Sequence, residues 1–333
     1  MLSTKDVVIS KLISAEDYIS GQSLSDDLGI TRMAVNTAVK ALRSEGYEIE
    51  SVTNKGYKLT NLPDLLTSGQ LASHLPADRM ETITVLKETT STNKVLKELA
   101  FDGAPEGTVV ISDCQTAGRG RLGRSFASPS GKGIYLSFLM RPSVLPELIS
   151  RITCWSAVAT ADSIASVCDT DPKIKWVNDI QINGKKIVGI LTEMSIESEI
   201  GSISNVVIGI GINVNDEPED FPEEIRSIAS SIRKEKGESE PINRAKLAAK
   251  LIQELDRMCQ SFPASHDEYL SSYRKYCSTV GLDVSAVSAH NHTSEVPRLG
   301  KAVGINEDFS LKVLFDDGKE ENLRSGEVSV RRR

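Results

Sequence analysis

Aromatic residues, cysteine and histidine are all scarce in this sequence of 333 residues. Aromatic residues make up 5%, and there are 5 cysteines and 4 histidines. The cysteines are scattered, odd in number and never spaced CxxC, which indicates reduced thiols in a cytosolic protein and argues against a structural zinc site. His290 and His292 form the one close histidine pair, which falls short of a closed zinc site.

Long apolar runs and an excess of positive charge are also missing. No run approaches the length of a membrane-spanning helix, and the first residues, MLSTKDVVISKLIS, contain no apolar signal-peptide core. We therefore expect a cytoplasmic protein that does not enter a membrane. The formal net charge is −7, so any contact with nucleic acid or phosphate needs a local basic patch. The length predicts two or three domains.

The pattern of residues 1–62 predicts a winged helix-turn-helix. A short helix is expected to end at Gly29, and Thr31 is placed to cap a second helix with apolar residues at helical spacing from Val35 to Leu42. Alternating apolar residues then flank Asn54-Lys55-Gly56, which is typical of a β-hairpin turn.

The second helix and the hairpin, or wing, carry the residues that we expect to bind DNA. They are Thr31, Arg32, Asn36, Lys40 and Lys55, and Arg43 is expected on the same exposed helix face. In this geometry the helix enters a major groove and the wing contacts phosphate. Residues 1–60 contain seven basic and eight acidic residues, so recognition would depend on a local face. The alternative is a domain of the same fold that contacts protein.

Residues 63–79 are expected to form a connector, and residues 80–277 an α/β domain with a mixed sheet. The expected strands are 83–86, 108–112, 134–140, 174–176, 187–193 and 206–212, and the clearest helices are 93–100, 145–167 and 244–262. Asn183-Gly184, within DIQINGKKIVGIL, predicts a hairpin. Residues 278–333 contain short strands broken by glycines, which favours a small β-barrel.

One segment, QTAGRGRLGRSF at residues 115–126, concentrates positive charge between two expected strands. We call it the arginine–glycine loop, and we expect neither a helical turn nor a packed strand within it. Arginine offers forked donors to carboxylate and phosphate, and glycine lets backbone N–H groups approach the same anions. Activation of a carboxylate by ATP, which brings two anions together, needs this chemistry. The alternatives are a flexible basic loop and a nucleic-acid contact.

Four further motifs accompany the loop, namely TTSTNKVLK at 89–97, KWVND at 175–179, GKKIVGIL at 184–191 and GIGINVN at 209–215. Together with GRGRLGR and the winged helix, they resemble the biotin–protein ligases that also act as biotin-operon repressors, over nearly the whole chain. The resemblance implies a multidomain α+β protein with a winged helix-turn-helix, a mixed-sheet α/β ligase core similar to class II synthetases, and a C-terminal SH3-like β-barrel over residues 278–333.

The implied activity is formation of biotinyl-5'-AMP from biotin and MgATP, followed by transfer of biotin to a lysine of a carboxylase biotin carrier protein. The implied second role is repression of biotin genes by binding operator DNA as a homodimer. In that hypothesis the loop orders over the adenylate and favours pairing through a sheet edge, for which the carrier protein competes. The protein would need biotin, ATP and Mg²⁺, and no membrane.

The resemblance also assigns roles to individual residues. Those matching biotin-binding positions are Ser91, Thr92, Asn93, Gln115, Gly118, Arg119, Gly120, Arg121 and Lys186. Those matching ATP-binding positions are Arg121, Arg124, Phe126, Lys175, Asn178, Asn213 and Arg331. The expected catalytic residues are Lys186, Arg119 and Arg121, and Asp179 is the candidate metal ligand.

Physical reasoning on the same residues adds further expectations. Lys186 follows a tight hairpin, which would fix its ammonium group, although a surface lysine is the alternative. Asp179 either holds Mg²⁺ or accepts hydrogen bonds from the loop. Ser91 and its neighbours form an acceptable helix N-cap. Trp176 is expected to pack in the core, and Phe126 to stack on adenine.

One residue departs from the pattern of the family. Val177 stands where the family usually has proline in KWPND. Valine favours an extended strand but fixes the backbone less than proline does, so we expect Asn178 and Asp179 to be held more loosely and nucleotide binding to be weaker.

Three other functions compete with a bifunctional ligase. A ligand-sensing repressor without ligase activity would have lost Ser91, Arg119 or Lys186, and all three are present. A lipoate ligase would lack GRGRxGR. A biotin ligase whose N-terminal domain does not bind DNA stays open, because residues 1–60 are nearly neutral.

Overall fold

The structure is a computed structural model that describes residues 2–143, 148–196, 203–288, 297–324 and 328–332. His290 and His292 lie outside these ranges. Among the described residues no helix is both long and apolar enough to cross a bilayer. Three buried clusters organise the described chain: one lies within the first 62 residues, a large one extends across the central sheet and the C-terminal strands, and a small one lies under the helix Thr92–Phe101.

The N-terminal unit has the predicted order of elements. They are α1 (Thr4–Ile13), α2 (Gly21–Leu28), α3 (Arg32–Ser44), β1 (Glu48–Val52) and β2 (Gly56–Asn61). Gly29 ends α2 in a left-handed conformation, and the hydroxyl of Thr31 accepts the backbone N–H of Ala34 at 3.1 Å, so both expected boundaries are confirmed. Asn54 turns the antiparallel β1–β2 hairpin with a φ of 65°.

A short helix, α4 (Ser68–Ala72), packs the connector against α1. Gly69 is needed there, because a Cβ atom would lie 2.3 Å from the side chain of Ile9. Gln70 is buried and donates from Nε2 to the hydroxyl of Tyr47 at 3.1 Å and to the carbonyl of Pro63 at 2.8 Å. The connector is therefore ordered by polar contacts to the winged helix.

The central domain is built on a mixed seven-stranded sheet in the order β3-β4-β5-β9-β8-β7-β6. Its strands are β3 (Ile83–Leu86), β4 (Val109–Ser112), β5 (Gly133–Met140), β6 (Lys173–Lys175), β7 (Asp179–Ile182), β8 (Lys185–Ile196) and β9 (Ile203–Asn213). Only β3 and β4 pair in parallel among these described strands. The mixed sheet is confirmed.

Helices cover both faces of this sheet. They are α5 (Thr92–Phe101), α6 (Ile149–Cys168), α7 (Ile232–Lys236), α8 (Arg244–Ser261) and α9 (His266–Tyr276). One face packs against α5 through Val110, Leu139 and Val207, and the opposite face belongs to the large cluster that includes α6 and α8. Burial of alternate strand residues on both faces explains why these strands are continuously apolar.

The C-terminal residues form a five-stranded antiparallel sheet in the order β13-β12-β11-β10-β14. Its strands are β10 (Asp283–Ser288), β11 (Arg298–Ile305), β12 (Leu311–Phe315), β13 (Glu320–Leu323) and β14 (Val328–Arg332). Among the described residues β13 and β14 do not pair with each other, so the sheet is open and a closed barrel is not confirmed. The indole N–H of Trp176 donates to the carbonyl of Phe309 at 2.9 Å, which joins this sheet to the central domain.

Candidate active site and nucleic-acid interface

A cavity of about 940 Å³ opens between the central sheet and the arginine–glycine loop. Its walls come from the start of α5, the loop, strands β6 to β9 and the first residues of the C-terminal sheet. Most of the residues predicted for the site line it: Ser91, Thr92, Asn93, Gln115, Arg119, Gly120, Arg121, Arg124, Phe126, Lys175, Asn178, Asp179 and Lys186. Charged and neutral polar side chains both line this wall.

The neutral end of the cavity is formed by Ser91, Thr92, Asn93 and Gln115. Gln115 Oε1 accepts both the backbone N–H and the hydroxyl of Thr92, at 2.9 and 3.2 Å. Ser91 occupies the N-cap position of α5 without a side-chain capping bond, so the predicted cap is wrong and Gln115 takes its place. This leaves the buried hydroxyl of Ser91 for a ligand.

Asn93 is buried beneath a strand glycine and its amide is committed to protein partners. Ser137 donates to Asn93 Oδ1 at 2.5 Å, and Asn93 Nδ2 donates to Glu193 Oε2 at 2.8 Å. A Cβ atom on Gly209 would lie 2.2 Å from Asn93 Oδ1. Asn93 therefore holds the neutral end in place, through Ser137 and Glu193, two residues that the sequence analysis missed.

The arginine–glycine loop folds back on itself rather than staying open. Phe126 donates its backbone N–H to the carbonyl of Gly118 at 2.9 Å, and Gly120 donates to that of Arg124 at 2.7 Å. A single 3-10 turn, Arg121–Gly123, closes the tip with Leu122 at a φ of 56°. Because Leu122 is left-handed, this is a tight turn and not a turn of regular helix, and backbone hydrogen bonds on either side of it close the loop. Gly118 lies behind the cavity wall, where a Cβ atom would meet the carbonyl of Phe126 at 2.3 Å.

The three arginines of the loop have different surroundings. Arg121 is half-buried and donates from Nη1 to Asn178 Oδ1 at 3.0 Å, and burial lowers the pKa of its guanidinium. The side chain of Arg119 is 60% exposed, with Nη1 4.0 Å from Glu193 Oε1. Arg124 is exposed. All three line the cavity, and Arg121 is the one whose guanidinium donates a hydrogen bond to another residue of the cavity wall, Asn178.

Phe126 lies across two strand glycines at the floor of the cavity. A Cβ atom on Gly211 would lie 2.5 Å from its ring, and one on Gly189 would lie 3.2 Å away. The ring meets Tyr135 edge-on, with centroids 6.4 Å apart. Glycine in a strand interior often marks the close approach of another group. The glycines of GIGIN at 209–213 could therefore have predicted a side chain packed on this strand.

Lys186 is fixed at the cationic end, as its position after the hairpin predicted. Asn183 and Gly184 both have positive φ in the β7–β8 turn. The backbone N–H of Lys186 donates to Ile228 at 2.8 Å, and its Nζ lies 2.7 Å from Asp179 Oδ1. The side chain of Lys186 is 34% exposed and its ammonium group is held by an ion pair.

Asp179 is the one carboxylate in the described wall of the cavity. It pairs with the ammonium group of Lys186 at 2.7 Å rather than accepting a hydrogen bond from the loop. No group of three or more potential metal ligands occurs among the described residues. Mg²⁺ commonly binds through substrate phosphates and one or two carboxylates, so Asp179 fits a metal that arrives with a nucleotide and does not form a metal cage by itself.

One predicted ATP-binding residue, Asn213, is not brought into the cavity, and the side chain of a second, Arg331, lies outside the described part. Asn213 is buried and donates to the carbonyl of Ser230 at 3.1 Å, outside the cavity wall. Its amide stabilises the segment that also holds Lys186. Arg331 lies in β14, where its backbone is opposite Ser285, and its side chain lies outside the described part.

Val177 lies in a turn rather than in a strand. Strand β6 ends at Lys175 and β7 begins at Asp179, so the strand ends before Val177, as the expected range 174–176 also has it. Val177 is 3% exposed, and its carbonyl accepts the hydroxyl of Tyr273 at 3.2 Å. Trp176 packs in the core, as predicted, and also contributes to the cavity wall.

In the winged helix, ion pairing separates the basic residues into two groups. Lys5, Lys11 and Lys58 pair with Glu45, Asp27 and Asp17. No ion pair is present for Arg32, Lys40 or Lys55 within the described ranges, although Lys55 lies over the ring of Tyr18. These are the cations predicted to bind DNA.

Other residues of the same surface make hydrogen bonds within the winged helix. Arg43 is exposed, as predicted, and donates to the carbonyl of Ile49 at 3.0 Å and to Ser51 at 2.6 Å. Asn36 lies 3.4 Å from the hydroxyl of Tyr57 and stays exposed. Thr31 is exposed but its hydroxyl caps α3.

The comparisons with known proteins agree with this arrangement. Residues 85–213 match the biotin/lipoate A/B protein ligase family, and residues 5–58 match an HTH domain. The bifunctional ligase/repressor BirA of Bacillus subtilis is 36% identical over 323 residues, covering 94% of both chains. The protein of the same description from Escherichia coli is 28% identical, covering 99% of this chain and 98% of the other.

Among solved structures, the biotin protein ligase from Aquifex aeolicus in complex with biotin and ATP is similar, with a TM-score of 0.62 and 28% identity. The match covers 75% of this chain and 99% of that one. The shared fold, the matched catalytic segment and the N-terminal domain lead to one assignment. The chain belongs to the biotin–protein ligase family, as a ligase with an N-terminal helix-turn-helix DNA-binding domain.

Proposed function

We propose that the cavity joins biotin to ATP and then passes the biotinyl group to a carrier lysine. The observation that carries this proposal is the placement of Arg121 and Lys186 in the wall of a single cavity whose other end is neutral. A ligand with a neutral ring and an acidic tail matches this cavity. Its ring would meet neutral hydrogen-bonding groups, and its carboxylate would meet the positive charges of Arg121 and Lys186.

The neutral end suits the ureido ring of biotin. Such a ring offers N–H donors and a carbonyl acceptor, which Ser91, Thr92 and Gln115 can pair without introducing a net charge. Thr92 and Gln115 are already bonded to each other, so their side chains would lose little conformational entropy when the ring binds. The backbone of Arg119 and Gly120 would close this end, with Gly118 permitting the close packing of the loop base.

The cationic end would lower the barrier to adenylation. An oxygen of the biotin carboxylate attacks the α-phosphorus of ATP, a new P–O bond forms, and pyrophosphate leaves with the electrons of the bond that breaks. Lys186 and Arg121 stabilise the charge that accumulates on the phosphoryl oxygens, and Arg119 closes over the carboxylate. Lys186 would exchange its bond to Asp179 for the ligand.

The nucleotide would lie between the loop and the β6–β8 wall. Phe126 offers its ring to adenine, and Lys175, Asn178 and Arg124 face the phosphates. Asp179, once released from Lys186, would bind the Mg²⁺ that accompanies ATP. Asn213 would act indirectly through Ser230, and a contact from Arg331 stays a prediction.

In the second step a carrier lysine attacks the biotinyl carbonyl. An amide forms, AMP leaves, and a proton is released. Closure of the arginine–glycine loop would keep water from the mixed anhydride before the carrier arrives. Leu122, 53% exposed at the tip, supplies an apolar group for that closure.

The test is ATP–pyrophosphate exchange with biotin or lipoate as the acid. We expect exchange with biotin and a rate at least about 100-fold lower with lipoate, because lipoate lacks the ureido groups that the neutral end would pair. Equal exchange with both acids, or none with biotin, would reject the proposal.

We further propose that α3 enters the major groove of operator DNA and that the wing contacts phosphate. Arg32, Asn36 and Lys40 would contact DNA from α3, starting at the Thr31 cap, and Lys55 from the wing. A homodimer would place two such helices on a two-fold operator. A mobility shift with the promoter of the organism's biotin genes tests this function, and binding no tighter than to scrambled DNA would reject it.

The domain limits are part of the same proposal, with the DNA-binding unit at 1–62, the connector at 63–79, the ligase core at 80–277 and the C-terminal sheet at 278–333. Two separate buried clusters support the first boundary. For the C-terminal unit we propose an SH3-like arrangement, since its last strand returns to pair beside its first.

A further inference from the structure

Arg244, at the start of α8, is the most completely paired buried cation in the described part of the chain. Its side chain is 1% exposed. Its guanidinium donates to Asp64 at 2.8 Å, to Asp113 at 2.7 Å and to the carbonyl of Gly133 at 3.0 Å. A buried guanidinium needs such a complete set of partners, because removing any one leaves charge without compensation.

Two of these partners mark the ends of the segment that contains the arginine–glycine loop. Asp113 follows β4 directly, and Gly133 is the first residue of β5. Asp113 also accepts the hydroxyl of Ser130 and, at 3.0 Å, the backbone N–H of Gly131. Arg244 and Asp113 therefore hold both ends of residues 114–132 at one point.

The third partner belongs to the connector of the winged helix. Asp64 accepts from the backbone N–H of Arg244 at 2.9 Å and from Asn215 at 2.9 Å, and its own carbonyl accepts from Arg244 at 3.1 Å. The preceding residue, Pro63, accepts the side chain of Gln70. Gln70 in turn bonds to Tyr47, in the core of the winged helix.

We propose that Arg244 is a positioning residue that couples the arginine–glycine loop to the winged helix. A ligand that pulls the loop inward shifts the Asp113 end of the network, and the shared guanidinium transmits that shift to Asp64 and the connector. The inference rests on the proposed function, in which biotin and ATP close the loop. It adds the route by which closure reaches the DNA-binding domain.

Two isosteric substitutions test the two sides of this hydrogen-bond network separately. Asp64→Asn removes the carboxylate on the connector side, and Asp113→Asn removes the one on the loop side. Asp256→Asn is the matched control, because Asp256 pairs with Arg79 at 2.7 Å and ties residues 63–79 to the same helix without touching the loop. Hydrogen exchange of the full chain, with and without biotin and MgATP, reports both regions in one experiment.

In the parent chain and in Asp256→Asn, the ligands should slow backbone hydrogen exchange in residues 115–126 by about 5-fold or more. The rate of hydrogen exchange in residues 61–72 should also change by about 5-fold or more. In Asp64→Asn the loop should still respond, and the response of residues 61–72 should fall below about 2-fold. In Asp113→Asn both responses should weaken, and the KM for biotin should rise about 10-fold with little change in kcat.

A response of residues 61–72 in Asp64→Asn as large as in the parent chain would overturn the coupling. So would a parent chain in which residues 115–126 respond and residues 61–72 do not, a result that needs no variant to fold. A parent chain in which residues 115–126 do not respond either would reject ligand closure itself, and with it the proposed function.

Discussion

The cations of the ligase cavity and those of the winged helix are held in opposite ways. In the cavity, Lys186 is paired with Asp179 and Arg121 is bonded to Asn178. On the winged helix, Arg32 and Lys40 project from α3 without an ion pair in the described structure. The first arrangement positions charge for one small anion. The second leaves charge free for a partner that carries its own regular array of phosphates.

The largest expected effect is the loss of Lys186. Lys186→Ala should reduce kcat/KM for biotin adenylation by about 100- to 1,000-fold, because a fixed cation at the reacting phosphoryl group acts mainly in the transition state. Pyrophosphate exchange measures the rate. Lys185→Ala removes the neighbouring lysine, whose Nζ is bound to the carbonyl of Ser227, and should cost less than about 5-fold. Equal losses in the two variants would contradict a specific role for Lys186.

On the winged helix, the double substitution Arg32→Ala and Lys40→Ala should weaken operator binding by about 50-fold and lower the salt dependence of the binding constant. Fluorescence anisotropy at several salt concentrations measures both. The matched control, Lys5→Ala with Lys11→Ala, removes the same charge from pairs with Glu45 and Asp27 and should leave affinity within about 3-fold. A similar loss in both doubles would mean that only total charge matters.

A smaller effect is expected at the cavity floor. Gly211→Ala would place a methyl group 2.5 Å from the ring of Phe126 and displace it. The KM for ATP should rise about 10-fold, while kcat changes by less than about 3-fold. Gly304→Ala, at a strand glycine with open space around its Cα, is the control and should leave both constants unchanged. An unaltered KM in Gly211→Ala would remove Phe126 from the nucleotide site.

The smallest expected effect concerns stability at the edge of the Arg244 network. Asp216 follows Asn215 and is 1% exposed, and burial raises its pKa to about 6 from the ordinary value of 3.8. A raised carboxyl pKa favours the folded state at low pH, and that contribution is lost as pH rises through about 6. Asp216→Asn should therefore raise stability at pH 7.5 by about 1–3 kcal/mol relative to the parent chain.

The difference should shrink as pH falls from about 6 towards 3.8, and it should disappear only below about 3.8, where the Asp216 carboxyl is neutral in both the folded and the unfolded protein. Denaturant unfolding of both proteins at pH 7.5 and at about pH 4 measures it. The same gain at both pH values would show that the substitution acts by packing and not by charge.

The sequence predicted the features that depend on neighbouring residues. Apolar spacing, Gly29 and the Asn54–Gly56 turn were sufficient for the winged helix, and Asn183-Gly184 for the hairpin that fixes Lys186. The composition of the loop identified its chemistry. It did not predict the loop's shape, because the left-handed Leu122 follows from backbone bonds between residues on either side of it.

The sequence did not predict contacts between residues that are far apart along the chain. Arg244 meets Asp113 and Asp64 across 131 and 180 positions, and no local pattern pairs those residues. Asn213 is the opposite case. Its motif predicts a place at the nucleotide, and in the fold its buried amide donates to the carbonyl of Ser230.

The measurement that most directly tests the adenylation chemistry is isolation of the acyl-adenylate itself. The parent chain would be incubated with biotin and ATP labelled at the α-phosphate, then separated from free nucleotide by gel filtration. We predict close to one labelled biotinyl-AMP retained per chain, and none when biotin is omitted. Label that is absent, or retained equally without biotin, would contradict the account.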